Sequence, residues 1–183
     1  MNNITVLYFG SFNPFHIGHA AIAKFVAELP WVDELCFVLS PKNPLKESNC
    51  LQDATMRWND LQRVVEKLQK ETPIKISATD IEFNLQPPLY TYNTLERLKE
   101  LFPDKKFALL MGGDNIAIIE KWYKGLEIVE KYPVLVYPRK GFDTDALCKK
   151  YGAIFVDAPQ IDVSSTQIRN LENEGKEASH LRY

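Results

Sequence analysis

The hydrophobic residues of this chain alternate between short unbroken runs and stretches in which they recur at helical spacing. The unbroken runs predict buried strands at residues 4–9, 35–39, 107–111, 134–137 and 153–156, and residues 74–76 predict a further short strand. Helical spacing predicts helices over residues 19–29, from 53 to the proline at 73, around 95–101 and over 143–151, with short pieces flanking Gly125 and a last helix from Ser164. Apolar strands that alternate with helices are typical of a parallel sheet covered on both faces. The pattern predicts an α/β fold, a single-domain, Rossmann-like, doubly wound parallel sheet with helices on both faces.

Composition narrows the class of protein without identifying its chemistry. The 183 residues are enough to bury the core of one domain, expected to span 1–183. A net charge of -2 provides no basic surplus for nucleic acid, and no apolar run reaches membrane length. The three widely spaced cysteines fit neither a disulfide framework nor a zinc ribbon. We expect a cytoplasmic protein that acts on small molecules, and the sequence leaves open whether it forms a homo-oligomer.

The segment after the first strand, Gly10-Ser11-Phe12-Asn13-Pro14-Phe15-His16-Ile17-Gly18-His19, brings two histidines to the start of a helix. It lacks both the glycine spacing of a dinucleotide-binding loop and the Gly-Lys-Ser/Thr of a P-loop. A helix N-terminus favours anions, and imidazoles there can donate hydrogen bonds to a polyphosphate. The alternative is that His16 and His19 only cap the helix. A metal site is disfavoured, because the only other histidine is His180.

The last predicted helix opens with a cluster of hydroxyl groups, Ser164-Ser165-Thr166-Gln167-Ile168-Arg169. Ser164 and Gln167 have the spacing of a capping box. The cap leaves two further hydroxyls and Arg169 unexplained, and these groups suit the outer phosphates of a nucleotide.

Together, the two end motifs resemble those of the nucleotidylyltransferase superfamily. Four segments between them narrow the resemblance to the bacterial nicotinate-nucleotide adenylyltransferases: Pro44-x-Lys46, residues 89–95, residues 111–115 and residues 121–124. The resemblance covers residues 4 to about 176. It implies transfer of the adenylyl group of ATP to nicotinate mononucleotide, with release of pyrophosphate. It also implies Mg²⁺ as cofactor, carried by the ATP phosphates and not by protein metal ligands.

The resemblance also implies roles for individual residues. For ATP it implies Gly10, Ser11, Phe12, His16, His19, Gly112, Asp114, Ser164, Ser165 and Arg169, of which His16, His19 and Arg169 are the catalytic set. For nicotinate mononucleotide it implies Lys46, Thr91, Trp122, Tyr123 and Arg139. The alternatives without a functional role are an ordinary turn at Gly112–Asp114, a solvated Lys46 and a core position for Trp122. Arg57 lies on an amphipathic helix and is expected to be solvated.

Two departures from the family pattern affect these expectations. Asn13 stands where many relatives have aspartate, and the chain stops at Leu181-Arg182-Tyr183, where the family usually continues into another short helix. The long loops at 41–52 and 80–90 are expected to close over substrate.

Other functions stay open at the level of sequence. Class I aminoacyl-tRNA synthetases share His16-Ile17-Gly18-His19 but need a Lys-Met-Ser-Lys-Ser loop, which this chain lacks. Nicotinamide mononucleotide or phosphopantetheine as the acceptor, and a non-catalytic nucleotide-binding module, are the remaining alternatives.

Overall fold

Six parallel strands form one sheet in the part of the chain that the computed structural model describes, residues 4–41 and 50–183. They are β1 (Ile4–Gly10), β2 (Glu34–Leu39), β3 (Lys75–Thr79), β4 (Lys106–Gly112), β5 (Val134–Tyr137) and β6 (Ile154–Phe155). Their order across the sheet is β3-β2-β1-β4-β5-β6. The chain winds outward from β1 to β3, crosses back to the other side of β1, and winds outward again. The predicted doubly wound parallel sheet is confirmed.

The predicted helices are present, with shifted ends. They are α1 (Ile17–Ala27), α2 (Cys50–Glu71), α3 (Thr91–Leu101), α4 (Gly113–Ile116), α5 (Gly125–Lys131), α6 (Thr144–Tyr151) and α7 (Ser165–Asn173). Single 3₁₀ turns occupy Ile81–Asn84, Ile119–Lys121 and Ser179–Leu181. None of the helices in the described ranges is both long enough and apolar enough to cross a membrane.

The central strand supplies side chains to both faces of the sheet. Val6 and Tyr8 belong to the cluster on one face, whereas Leu7 belongs to the cluster on the other, as the alternation of side chains along a strand requires. All three are at most 2% exposed. A third, smaller cluster of Val163, Ile168 and Ala178 lies under α7. The last helix therefore has little core of its own, and its placement depends on polar contacts.

The two predicted loops differ in what the structure describes. Most of the 41–52 loop falls outside the described residues, while residues 50–52 already belong to α2. The 80–90 loop contains a 3₁₀ turn whose Glu82 is buried and accepts a hydrogen bond from Thr94 Oγ1 at 2.9 Å. Closure of either loop over substrate stays a prediction.

The order of the strands reverses between β1 and β4, which opens a crevice at their carboxyl ends. Gly10 and Gly112 end these two strands, and Arg139 follows β5 at the same edge. Most of the residues singled out in the sequence therefore reach one edge of the sheet.

Candidate active site

His16 and His19, the histidine pair, cap helix α1 through each other. Nδ1 of His16 accepts a hydrogen bond from the His19 backbone N–H at 3.4 Å, and Nδ1 of His19 accepts one from the His16 N–H at 3.3 Å. The two rings stack with their centroids 3.6 Å apart. Because both Nδ1 atoms accept, the ring protons lie on Nε2. The predicted capping is present, and it leaves each ring with an N–H donor for another partner.

Both histidines are uncharged at neutral pH. Burial, assisted by the positive charge of Arg139, lowers the pKa of His16 to about 4. Burial, the neighbouring His16 and Arg139 lower the pKa of His19 well below its usual value. The pair therefore offers neutral N–H donors, and the positive charge of the site comes from arginines.

The histidine pair rests on a cluster of aromatic rings. The ring of His19 lies 5.2 Å from that of Phe12, 5.1 Å from Phe15 and 6.1 Å from Tyr8. Phe12 is buried and has a φ of 43°, a conformation that costs a non-glycine residue about 1–3 kcal/mol. Packing of its ring against its neighbours holds the loop in this strained shape.

Glycine avoids close contacts at two strand ends that border the site. A Cβ on Gly10 would lie 2.8 Å from the Phe12 ring, and a Cβ on Gly112 would overlap the carboxylate of Asp114. The close approach of these side chains to the backbone explains both glycines without reference to a ligand.

Arg57 is not solvated, and the prediction from its helix was wrong. Its side chain is 8% exposed, and its guanidinium donates hydrogen bonds to the backbone carbonyls of Ser11 at 2.8 Å, Ser40 at 2.9 Å and Pro41 at 3.0 Å. Its Nε also lies 3.6 Å from the carboxylate of Asp53. Arg57 therefore holds the loops after β1 and β2 against α2.

A signal for the burial of Arg57 was present in the sequence. Arg57 precedes the core residues Leu61, Val64 and Leu68 by four, seven and eleven residues, which places it on their helix face. A charged residue on an apolar face requires a polar partner from elsewhere in the chain.

Polar contacts hold helix α7 against residues 10–19. Ser165 Oγ donates to the carbonyl of Pro14 at 2.9 Å, and the Arg169 guanidinium donates to the carbonyl of Asn13 and, at 2.9 Å, to Thr166 Oγ1. The contact with Asn13 uses its backbone, so that exchange of aspartate for asparagine leaves this contact unchanged. The two end motifs meet although Ser165 and Pro14 are 151 residues apart in sequence.

The last residues of the chain touch the same loop. Arg182 forms an antiparallel backbone bridge with His16, and the Tyr183 ring lies 5.9 Å from that of Phe15. The loop that carries the histidines is thus held from two later segments.

Asp114 and Arg139 form an ion pair that lines a cavity of about 600 Å³. Arg139 Nε lies 3.5 Å from Asp114 Oδ1, and Ser164 and Gln167 line the same cavity. Ser164 accepts a hydrogen bond from the Gln167 N–H at 3.1 Å, so the predicted cap of the last helix is present. The structure places Arg139 with residues predicted for ATP, not with the set predicted for nicotinate mononucleotide.

A smaller cavity of about 190 Å³ is lined by the ends of β1 and β4. Thr91 and Trp122 line it together with Gly10 and Ser40. Tyr123 is not among its lining residues: it is 46% exposed and stacks on Tyr90 at 4.6 Å between ring centroids. Lys46 lies outside the described residues.

Comparison with known proteins adds to this geometry. The chain matches the cytidylyltransferase-like family over residues 7–171. It is 42% identical over 177 residues to a probable nicotinate-nucleotide adenylyltransferase from Flavobacterium johnsoniae, covering 96% of this chain and 89% of the relative. The relative of the same name from Porphyromonas gingivalis is 39% identical, over 98% of this chain and 88% of its own length.

Solved structures resemble the fold. The Plasmodium falciparum nicotinic acid mononucleotide adenylyltransferase complexed with NaAD superposes with a TM-score of 0.78 at 22% identity, covering 95% of this chain and 86% of the other. The same enzyme complexed with APC gives 0.76, with coverage of 97% and 87%. At this level of identity the likeness concerns the fold.

Proposed function

This chain belongs to the cytidylyltransferase-like family and, within it, to the nicotinate-nucleotide adenylyltransferases, and from this we propose that it transfers the adenylyl group of ATP to nicotinate mononucleotide. The products are nicotinate adenine dinucleotide and pyrophosphate, and the reaction is a step of NAD biosynthesis. One observation supports this most directly: α7 brings Ser165 and Arg169 onto the loop that presents the histidine pair. N–H donors, a helix N-terminus and a guanidinium then converge where a polyphosphate would lie.

The reaction needs positioning and charge stabilisation more than covalent help from the protein. A phosphate oxygen of the mononucleotide attacks the α-phosphorus of ATP in line. The new P–O bond forms as the bond from that phosphorus to the bridging oxygen of the β-phosphate breaks, and pyrophosphate leaves with the electron pair. No nucleophilic side chain takes part.

We assign the catalytic roles to His16, His19 and Arg169. The Nε2 donors of the histidine pair would hydrogen-bond the oxygens of the α-phosphate, with His19 the closer contact. Their neutrality suits a donor that must not lose its proton to the phosphate. Arg169 would carry the positive charge that stabilises the departing phosphates.

ATP would lie between residues 10–12 and the larger cavity. Backbone groups of Gly10, Ser11 and Phe12 would border the phosphates, and Ser164 and Ser165 would face the β- and γ-phosphates. The remaining two groups, Gly112 and Asp114, would hold the adenosine, because a carboxylate is an apt acceptor for ribose hydroxyls. Arg139 lies 3.5 Å from Asp114 and lines the same cavity, so we assign it to the nucleotide side as well.

The mononucleotide would enter the smaller cavity. Its flat ring can stack on the Trp122 indole, with Thr91 beside it. Tyr123 would act from outside the cavity, and Lys46 is proposed as the contact for the mononucleotide phosphate.

We propose that Mg²⁺ enters with ATP. Across the described residues, no three His, Cys, Asp or Glu side chains lie close enough to hold a metal ion. Mg²⁺ is commonly bound through substrate phosphates and water, and there it would neutralise phosphate charge. We also propose a cytoplasmic location, where both substrates are available.

Pyrophosphate release tests the function directly. ATP and Mg²⁺ are incubated with the protein and, in parallel, with nicotinate mononucleotide, nicotinamide mononucleotide or phosphopantetheine. We expect release with nicotinate mononucleotide. Preference for another acceptor would overturn the acceptor assignment alone, and no release with any of the three would indicate a nucleotide-binding module without this activity.

A further inference from the structure

We propose that Arg57 is a positioning residue that couples the ATP side of the site to the acceptor side. The inference rests on the proposed function, because it assigns those two sides. Arg57 donates to Ser11, which belongs to the loop assigned to ATP, and to Ser40, which lines the smaller cavity assigned to the mononucleotide. One side chain therefore ties the two substrate-binding segments to each other beyond the point where β1 and β2 pair.

The chemistry of the side chain fits this task. A guanidinium presents five N–H donors in a rigid, planar fork, so a single arginine can hold three carbonyls of two loops at once. Three carbonyl dipoles stabilise its charge, together with the Asp53 carboxylate, whose oxygen lies 3.6 Å from Nε and whose side chain is 55% exposed. Burial of a charge is costly unless hydrogen bonds compensate it, and a lysine offers no such fork.

The contact with Ser11 also fixes the orientation of the next peptide group. In a trans peptide, the N–H of Phe12 points away from the carbonyl of Ser11. Because that carbonyl points at Arg57, the Phe12 amide is turned away from α2. A backbone hydrogen bond of 3.0 Å from the Ser40 N–H to the Gly10 carbonyl joins the two loops beside this point.

Loss of the tether would shift the two loops relative to each other. A misplacement of about 1 Å can cost in-line chemistry about 100-fold in rate. Each substrate keeps its own contacts, so binding of one substrate alone would suffer much less. This split between turnover and binding distinguishes a positioning role from a general loss of structure.

The test compares Arg57→Met and Arg57→Lys with Arg63→Met. Arg63 lies on the same helix, with a side chain that is 78% exposed, and serves as the matched control. For Arg57→Met we expect a fall in kcat of about 100-fold, whereas KM for ATP at saturating mononucleotide changes by less than about threefold. Arg57→Lys keeps the charge but loses the fork, and we expect a smaller fall of about tenfold. Arg63→Met should match the parent protein.

A chemical-rescue measurement makes the result decisive. Millimolar guanidinium should restore part of the kcat of Arg57→Met and leave Arg63→Met unchanged. Unchanged kcat in folded Arg57→Met or Arg57→Lys would overturn the proposal, and so would the loss of folding by both variants, which would make Arg57 purely structural.

The activity of the parent protein shows whether the proposed function itself fails, separately from this inference. If the parent prefers another acceptor, the same comparison is made with that acceptor. If the parent shows no transfer at all, the proposed function and this inference both fail, whereas an active parent with active Arg57 variants overturns this inference alone.

Discussion

The amino and carboxyl ends of the strands differ in whether their buried carboxylate and hydroxyl groups have hydrogen-bond partners. At the amino end, the buried Glu34 carboxylate is surrounded by donors: Lys105 Nζ and Ser77 Oγ at 2.6 Å, Lys75 Nζ at 3.3 Å and Thr5 Oγ1 at 3.4 Å. Burial alone would raise the pKa of Glu34, but the hydrogen bonds from Lys105 and Ser77 hold it below its usual value. This cluster ties β1, β2 and β3 together.

At the carboxyl end of the sheet, two buried hydroxyl groups lack such partners. The buried hydroxyls of Tyr8 and Thr144 make no well-formed hydrogen bond within the described chain, although the Tyr137 phenol lies beside Tyr8 and, after burial, contributes to its raised pKa. Phe12 is strained, and burial keeps the histidine pair neutral. Each buried polar group without a partner costs about 1–3 kcal/mol. The comparison teaches that stability is concentrated at one end of the sheet, and that the other end gives up stability where a ligand would bind.

The largest expected effect belongs to the carboxyl end. His19→Ala removes the donor that we propose stabilises charge in the transition state, and kcat should fall by about 100- to 1,000-fold. The free energy of unfolding should fall by about 1–3 kcal/mol, because one capping contact and the ring contacts of His19 are lost. Steady-state pyrophosphate release and urea unfolding measure the two effects, with His180→Ala as control. Activity near that of the parent protein would refute the role of His19.

The reverse pattern is expected at the amino end. Glu34→Gln weakens charge-assisted hydrogen bonds and should lower the free energy of unfolding by about 1.5–3 kcal/mol, with kcat unchanged. The control Glu127→Gln alters an exposed ion pair and should cost less than about 1 kcal/mol. A fall in kcat for Glu34→Gln at a temperature where it stays folded would mean that the two ends are not separate.

Acid should destabilise the two ends in different pH windows. The folded pKa of His16 is about 4, below its unfolded value of 6.5, so the unfolded chain takes up the proton first as pH falls. The stability that neutral His16 provides is therefore fully present above pH 6.5 and is lost as pH falls towards about 4. Glu34, whose folded pKa is also lowered, provides stability above its unfolded pKa of 4.5 that is lost only in stronger acid.

Urea midpoints recorded from pH 8 to pH 3 separate the two contributions. His16→Asn keeps a side chain that can cap α1, and it should reduce the slope of the curve between pH 6.5 and 4, where His19, whose pKa is also lowered, still contributes. Glu34→Gln should flatten it below that range. An unaltered slope in His16→Asn would show that this histidine is not the titrating group.

The smallest effect concerns a hydroxyl with no good partner. Tyr8→Phe removes that hydroxyl, and the free energy of unfolding should stay the same or rise by up to about 1 kcal/mol. Tyr132→Phe is the matched comparison, because its hydroxyl donates to Glu96 at 2.8 Å, and it should lose about 0.5–1.5 kcal/mol. Equal losses in both variants would show that Tyr8 is as well bonded as Tyr132.

Periodicity was sufficient for the sheet and its helices because burial on both faces leaves unbroken apolar runs. The run at 134–137 coincides with β5. The run at 153–156 was predicted as a buried strand, but β6 is short and lies at the edge, where Ile154 is 41% and Phe155 38% exposed. Position within a sheet depends on neighbours that a local pattern does not contain.

The end motifs were sufficient to bring the histidine pair and Arg169 together, since their residue types already suggest a shared ligand. The environment of Arg57 could not be read from residue types in the same way, because its partners are backbone carbonyls, which every residue has. The placement of Arg139 beside Asp114 was missed because β4 and β5 are adjacent only in the folded sheet.

The contacts of Ser165 and Arg169 with Pro14 and Asn13 also set an order of events during synthesis. Strands β1 to β3 can pair while translation continues. The loop of residues 10–19, however, lacks its partners in α7 until most of the chain has been synthesised. With the role proposed for Arg169, a ribosome-bound chain should acquire nucleotide binding only once Arg169 has emerged. Before that point, the nascent chain would have formed most of its sheet but would not yet bind ATP.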